Sequence, residues 1–119
     1  MAGSLQDFKA GFFRTLASPV RIRLLEHLRG GEATVGDLQQ KLGLDSSNVS
    51  QHLSILRANS LVAARRDGTR IWYSVHEPHI YEILDAARAI FENQVKASTR
   101  LLAEQRRAPS APARKGRHA

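Results

Sequence analysis

Apolar residues recur at helical spacing through the first half of the chain, where they predict four helices. The first covers residues ~5–16 and has an aromatic-rich face. The second begins at Ser18-Pro19, because serine caps a helix and proline suits its first position. Gly30-Gly31 ends this second helix.

The third and fourth helices are predicted to form a helix-turn-helix. The third covers residues ~34–42, with Thr34 as its candidate cap. The fourth covers the run SSNVSQHLSILRAN at residues 46–59. The segment Gly43-Leu44-Asp45 joins them, and a short turn containing glycine is typical of this motif.

Two strands and a long helix are predicted after this motif. Residues 61–66 and 70–75 alternate apolar and polar side chains, and Asp67-Gly68 is a turn signal between them, so they predict a β-hairpin called a wing. From residue 79 to about 104, apolar residues keep helical spacing. So long an apolar stripe exceeds what the rest of the body can cover, so we expect it to pair with a second copy of the chain.

The predicted fold is therefore mainly α with a small β-hairpin, a winged helix-turn-helix that is dimeric through its first and last helices. We expect this DNA-binding and dimerisation domain at residues 1–105 and a disordered basic tail at residues 106–119, which is rich in Pro, Ala and Arg. The candidate dimer contacts are Leu5, Phe8, Phe12, Ile83, Ala87, Ile90 and Phe91.

Composition and charge narrow the classes of function. The chain contains no cysteine, which excludes disulfides and thiolate metal sites and fits a cytoplasmic location. No apolar run has the length of a membrane span and no signal peptide is recognisable, so we expect no membrane partner. The net charge of +7 favours a polyanion, although five of the basic residues lie in the last fourteen positions.

The outward side of the fourth helix is the candidate DNA-reading surface. At about 100° per residue, Val49, Leu53 and Leu56 lie on one side, and short uncharged polar residues lie opposite. Small hydroxyls let a helix enter the major groove deeply, and Gln51 can form two hydrogen bonds with adenine. Arginines at the helix end and on the wing suit phosphates of double-stranded DNA. The candidate DNA-binding residues are Ser46, Ser47, Asn48, Ser50, Gln51, Ser54, Arg57, Arg65, Arg66 and Arg70.

Other interpretations of these features are open. A polar helix face is also an ordinary solvated surface, and His52, at the border of the apolar side, is expected to pack or cap. A winged-helix module that binds protein is an alternative, against which the arginines of the wing argue. No nucleophile elbow or phosphate-binding glycine loop occurs, so we expect no enzymatic activity.

The segments SPVRIRLLEHL and VGDLQQKLGLDSSNVSQHLSILRANSLVAARRDGTRIWYSV resemble the core of ArsR/SmtB-type winged-helix repressors, over roughly residues 8–92. The resemblance implies a homodimer that places paired recognition helices in successive major grooves of a palindromic operator. It also implies repression that is relieved when an inducer shifts the dimer to a weaker-binding form.

The metal sites of such repressors are represented only in part. Arsenic- and lead-type members carry Glu-Leu-Cys-Val-Cys-Asp-Leu, whereas the same frame here reads EATVGDL, with Thr34 and Gly36 at the cysteine positions, so that site is absent. Zinc- and cobalt-type members use a carboxylate and a histidine at the start of the last helix, which Glu77 and His79 match. The ligands expected three turns further along are missing.

We therefore expect no cofactor, and a zinc- or cobalt-responsive repressor that uses Glu77 and His79 is kept as an alternative. A small organic inducer between the dimer helices is also open, as is regulation by a partner or by the protein's own concentration. The aromatic residues that could form walls for such an inducer are Phe8, Phe12, Trp72, Tyr81 and Phe91.

Overall fold

The computed structural model describes residues 3–107, which form five α-helices and a three-stranded antiparallel sheet. The helices are α1 (Leu5–Leu16), α2 (Pro19–Leu28), α3 (Val35–Leu42), α4 (Ser46–Ala58) and α5 (Ile80–Arg107). The strands are β1 (Ala33–Thr34), β2 (Val62–Asp67) and β3 (Arg70–Val75). The prediction of a mainly α, winged helix-turn-helix fold is confirmed. The chain divides into two compact units, one ending at Ile80 and the other beginning at Tyr81.

Side-chain caps define where the helices of the first unit begin. Ser18 Oγ accepts a hydrogen bond from the backbone N–H of Arg21 at 3.3 Å, which confirms the predicted start of α2. At α3, Thr34 Oγ1 accepts from the N–H of Asp37, and Asp37 Oδ2 accepts from the N–H of Thr34, each at 3.1 Å. This reciprocal capping box confirms Thr34 as the cap, and its hydrogen bonds lower the pKa of Asp37.

The turn of the helix-turn-helix depends on one glycine and one carboxylate. Gly43 ends α3 with φ +70°, in the left-handed region that favours glycine. Two residues later, Asp45 Oδ1 accepts from the backbone N–H of Asn48 at 2.7 Å and so caps α4. The glycine at the start of the turn and the capping aspartate at its end therefore fix the orientation of α4 relative to α3.

The core of the first unit lies between α2, α3, α4 and the start of β2. As predicted, Val49, Leu53 and Leu56 point inward from α4, and each side chain is fully buried. They pack in a core whose other buried apolar members include Leu24, Leu25, Leu28, Leu38, Leu42, Leu61 and Val62. Because these buried side chains anchor α4 along its length, the opposite side of the helix faces solvent.

The wing is a hairpin extended by a third strand that the sequence did not predict. β2 and β3 pair from Val62 and Val75 to Asp67 and Arg70, which confirms the predicted hairpin. The two-residue β1 pairs with the other side of β3, so the strand order is β1-β3-β2. The wing is thus joined through β1 to the start of α3, the first helix of the helix-turn-helix.

The described part of the second unit is α5 from Tyr81 onward. This helix runs to Arg107, so residues 106 and 107, which were predicted to belong to a disordered tail, are helical. The remainder of the predicted tail, residues 108–119, lies outside the described residues. Within residues 3–107, no helix is long and apolar enough to cross a membrane.

Candidate nucleic-acid interface

The outward side of α4 carries the residues that were predicted from the sequence to read bases. The side chains of Ser46, Ser47, Ser50, Gln51 and Ser54 are exposed, whereas Asn48 is half-buried. Arg57 is exposed in the last turn of the helix. The outward side of α4 therefore carries short, uncharged polar side chains, and Arg57 places one positive charge in its last turn.

The first turn of α4 restricts what Ser47 can contact. Its hydroxyl donates a hydrogen bond to Asp45 Oδ1 at 3.1 Å. While that bond is present the hydroxyl can only accept, so it suits the amino group of a base better than a phosphate, which has no proton to donate. Asp45 also places a negative charge at the helix start, where it is favourable for the helix and unfavourable for a nearby phosphate.

His52 is half-buried and contacts Arg21, in agreement with the expectation from its position. The Nη1 atom of Arg21 lies 3.2 Å from His52 Nδ1. Since a guanidinium can only donate, Nδ1 is the acceptor in this contact. Arg21 Nε also donates to the carbonyl oxygen of Thr15 at 2.6 Å. One arginine thus joins the end of α1, the start of α2 and the middle of α4.

The register of the wing separates its arginines onto two faces. Residues that pair across antiparallel strands share a face, and successive residues alternate. Arg65 pairs with Trp72, whereas Arg66 pairs with Ile71, so the two arginines point to opposite sides of the sheet. Both side chains are exposed, as is Arg70 near the turn.

Arg65 is engaged by a carboxylate that no sequence pattern assigns to the wing. Its Nε donates to Glu32 Oε2 at 2.9 Å, and its Nη2 donates to Glu32 Oε1. The guanidinium carbon lies 5.8 Å from the centre of the Trp72 ring, and Nη1 is 3.8 Å from Asp67 Oδ2. The hydrogen bond between Arg65 and Glu32 lowers the pKa of the Glu32 carboxyl and raises the pKa of Arg65. These two residues lie 33 positions apart, and no local spacing signals their contact.

Carboxylates that the fold brings close to the wing lower the net positive charge around its arginines. In the sequence, its arginines have only Asp67 close to them. The structure adds Glu32 beside Arg65, and it brings Asp37 near enough to Arg70 for that cation to contribute to the lowered pKa of Asp37. A shallow cavity of about 510 Å³ lies between the start of α3 and the wing turn, with Asp37 and Arg70 in its wall.

Glu77 and His79, the candidate metal ligands, contact each other just before α5. Glu77 Oε2 lies 2.7 Å from His79 Nδ1 and accepts from the backbone N–H of His79 at 3.2 Å. The side-chain hydrogen bond and then the backbone one lower the pKa of Glu77. Both side chains are exposed. Across residues 3–107, no group of three or more His, Asp or Glu side chains is placed to hold a metal ion.

A cavity of about 670 Å³ opens between α1 and the end of α4. Phe8 and Phe12, two of the aromatic residues considered as walls for an inducer, line it together with Arg21. Trp72 instead lies under Arg65. Charged and apolar side chains both line the cavity, so its chemistry suits an amphipathic molecule better than a purely apolar one.

Comparison with known proteins identifies relatives over most of the chain. Residues 16–65 match the family described as "Helix-turn-helix domain". The chain is 44% identical over 108 residues to the uncharacterized HTH-type transcriptional regulator Rv0081 of Mycobacterium tuberculosis, spanning 90% of this chain and 95% of that protein. It is 36% identical over 87 residues to the biofilm growth-associated repressor of Xylella fastidiosa, spanning 73% of this chain and 76% of that protein.

Solved structures share the winged helix-turn-helix fold. The crystal structure of Rv0081 superposes with a TM-score of 0.73 at 43% identity, covering 82% of this chain and 99% of that one. A solution structure from Mycobacterium bovis, described as a homodimeric winged helix-turn-helix DNA-binding domain, gives a TM-score of 0.69 at 26% identity, covering 82% and 95%.

Proposed function

The chain belongs to the ArsR/SmtB-type family of winged helix-turn-helix, DNA-binding transcriptional regulators, and we propose that it is a repressor that binds a palindromic operator as a homodimer. A relative named as a repressor supports the direction of regulation. A DNA-binding regulator must be in the same compartment as the DNA that it binds, which supports the cytoplasmic location predicted from the sequence.

The observation that carries the proposal is the two-sided character of α4. Its inner side, with Val49, Leu53 and Leu56, is fully buried, while its outer side presents small hydroxyls and Gln51 to solvent. A helix anchored in this way keeps its outer side chains in a fixed arrangement when it enters a major groove. We propose that α4 reads bases through Ser46, Ser47, Asn48, Ser50, Gln51 and Ser54.

Phosphate contacts are proposed for the arginines around this helix. Arg57 ends α4, and Arg66 and Arg70 are exposed on the wing, so these side chains can bind phosphates on either side of the groove. Arg65 is also a candidate for phosphate contact, although two of its donors, on Nε and Nη2, are already bonded to Glu32.

Dimerisation is proposed through the exposed apolar sides of α1 and α5. Leu5 and Phe8 are 60% and 67% exposed on α1, and Ile90 and Phe91 are 58% and 64% exposed on α5. Apolar patches of this kind on a small protein mark an interface. The proposed contacts also include Phe12, Ile83 and Ala87, and the homodimeric relative supports them.

Two substitutions on α5 test the dimer. Phe91→Glu places a charge on the apolar side and is expected to shift the protein from dimer to monomer in sedimentation velocity at micromolar concentration. Ala89→Glu adds the same charge to the polar side of the helix and is the matched control. If the Phe91→Glu protein forms dimers over the same concentration range as wild type, the proposed interface is wrong.

The whole proposal is tested by a gel-shift assay on DNA upstream of the protein's own gene, with a random duplex of equal length as competitor. A repressor with an operator there gives a shift that survives excess random DNA. Footprinting should then reveal two half-sites about one helical turn apart, one for each protomer. No shift at any salt concentration favours a winged-helix module that binds protein, and a shift abolished equally by random DNA contradicts sequence-specific reading.

For an organic inducer, we propose the cavity beside α1 as the binding site. Phe8 and Phe12 line this cavity and are also proposed dimer contacts, so a ligand there would change how the protomers pack and thereby shift the dimer between DNA-binding forms. Release of operator by an amphipathic small molecule, lost in Phe12→Ala, is the expected result. Unchanged release in that variant would assign the ligand to another site.

A further inference from the structure

We propose that Glu32 is a positioning residue that holds Arg65 across the sheet and competes with DNA phosphates, whatever the DNA sequence, for the guanidinium of this arginine. The inference rests on the proposed contact between the wing and DNA. It concerns how strongly the wing attracts phosphates, which neither the fold nor the reading helix determines.

The contact between Glu32 and Arg65 spans the sheet. Arg65 is on β2 and Glu32 directly precedes β1, and these strands lie on opposite sides of β3. The guanidinium therefore extends across the middle strand, over the ring of Trp72, to reach the carboxylate. Two parallel hydrogen bonds, from Nε and Nη2, give the fork geometry that is the strongest arrangement of an arginine with a carboxylate.

This geometry occupies one of the two edges of the guanidinium through which an arginine can bind a phosphate. Arginine binds phosphate well because one edge of its planar fork offers two parallel N–H groups. Glu32 takes one such edge of Arg65, and Asp67, with Oδ2 at 3.8 Å from Nη1, lies beside the other. An approaching phosphate thus meets two carboxylates around this cation.

The effect is a competition and not a block. Side chains of Arg65 and Glu32 remain 53% and 37% exposed, and ion pairs this accessible are weak enough for a phosphate to replace the carboxylate. Because every DNA duplex offers the same phosphates, the competition lowers affinity for operator and random DNA by a similar factor. Base reading by α4 then contributes a larger share of the total binding energy.

The test compares Glu32→Gln with wild type by fluorescence anisotropy on operator and random duplexes at several salt concentrations. The amide keeps the size of the side chain and removes its charge. We expect affinity to rise about threefold for each wing, hence about tenfold for a dimer, with both duplexes. The dependence of log affinity on log salt should steepen by about one for each additional phosphate that an arginine neutralises. Thermal melting confirms that the variant is folded.

Two further variants separate the proposed competition from simple loss of negative charge. Glu26→Gln removes the same charge from an exposed position on α2 and should leave affinity within a factor of about two of wild type. In an Arg65→Met background, Glu32→Gln should have little effect, since there is no arginine left to release. An equal gain of affinity in that background overturns the proposal, because the effect would then be that of the carboxylate alone.

The remaining outcomes are also decisive. A loss of affinity in Glu32→Gln overturns the proposal in favour of Glu32 holding Arg65 ready for DNA, and an unchanged affinity and salt slope overturns it outright. Neither outcome touches the proposed DNA-binding function, which depends on wild-type binding. A wild-type protein that binds no DNA would contradict both the proposed DNA-binding function and the proposed role of Glu32.

Discussion

The proposed reading helix α4 and the wing differ in the physical means by which each would contact DNA. α4 has a fully buried apolar side and an uncharged polar side, so its contribution depends on rigid placement of short side chains. The wing is exposed and charged, and its arginines have carboxylates as neighbours. Packing therefore fixes the region proposed to read the DNA sequence, and neighbouring carboxylates oppose the charge of the region proposed to contact the DNA backbone.

The largest expected effect comes from the buried side of α4. Leu53→Ala removes a fully buried side chain and should lower the free energy of unfolding by about 2–5 kcal/mol, because it leaves a cavity. Urea denaturation measures this change. Ser54→Ala, on the exposed side one residue away, is the control and should stay within about 0.5 kcal/mol of wild type. Equal effects for the two would mean that α4 is not anchored by one side.

Base reading by Gln51 is the next largest effect. Gln51→Ala should weaken operator binding by about 1–3 kcal/mol and leave binding to random DNA nearly unchanged, because the variant lacks only the hydrogen bonds to a base. Anisotropy titrations on both duplexes measure the difference. Gln6→Ala, at an exposed position on α1, is the matched control. An equal loss of affinity on both duplexes would remove Gln51 from the set of base readers.

The capping box of α3 lies where the two regions meet, since β1 joins the wing to this helix. Thr34→Ala should lower stability by about 1 kcal/mol at neutral pH, because the N–H of Asp37 loses its acceptor. Chemical denaturation at several pH values measures it. Asp37 has a lowered pKa in the folded protein, so its contribution is complete above its ordinary pKa and is lost as pH falls through the lowered one.

The capping box also determines how Thr34→Ala alters the pH dependence of stability. The variant lacks the Thr34 side chain that contributes to the lowered pKa of Asp37, so its stability should fall less than that of wild type on acidification below about pH 4. Thr69→Ala, in the wing turn, is a control that leaves the box intact. Parallel pH profiles for Thr34→Ala and wild type would contradict this role of the capping box.

The smallest expected effect is that of a single wing cation. Arg66→Ala should weaken operator and random DNA alike, by less than about tenfold at moderate salt, and should reduce the salt slope by about one for each phosphate that the wing no longer neutralises. Arg100→Ala removes the same charge from the polar side of α5 and is the control. A loss confined to the operator would give Arg66 a role in base reading and blur the distinction between the two regions.

Local signals in the sequence were sufficient for the helices and the hairpin. Helix ends and tight turns depend on residues that are adjacent in the sequence, so they could be predicted. Examples are the proline after a capping serine at α2, the glycine after α3 and the Asp67-Gly68 turn of the hairpin. The inward side of α4 followed from helical periodicity alone. These features position the candidate base readers, whose roles stay predictions.

Contacts between distant segments could not be predicted from such local signals. β1 has only two residues, too few to show an alternating pattern, and it forms because β3 offers a free edge. The approach of Glu32 to Arg65 and of Asp37 to Arg70 follows from that pairing, so the sequence gives no local signal of these carboxylates near the wing. The stretch EATVGDL, notable in the sequence for missing cysteines, supplies both of these carboxylates.

The hydrogen bonds of Arg21 connect α1 directly to α4. One guanidinium binds the last turn of α1 through Thr15 and the middle of α4 through His52. A displacement of α1, one of the proposed dimer helices, by more than the tolerance of a hydrogen bond would break one of these bonds or pull α4 with it. If the dimer forms through α1 as proposed, Arg21 would couple the packing of the two protomers to the orientation of α4.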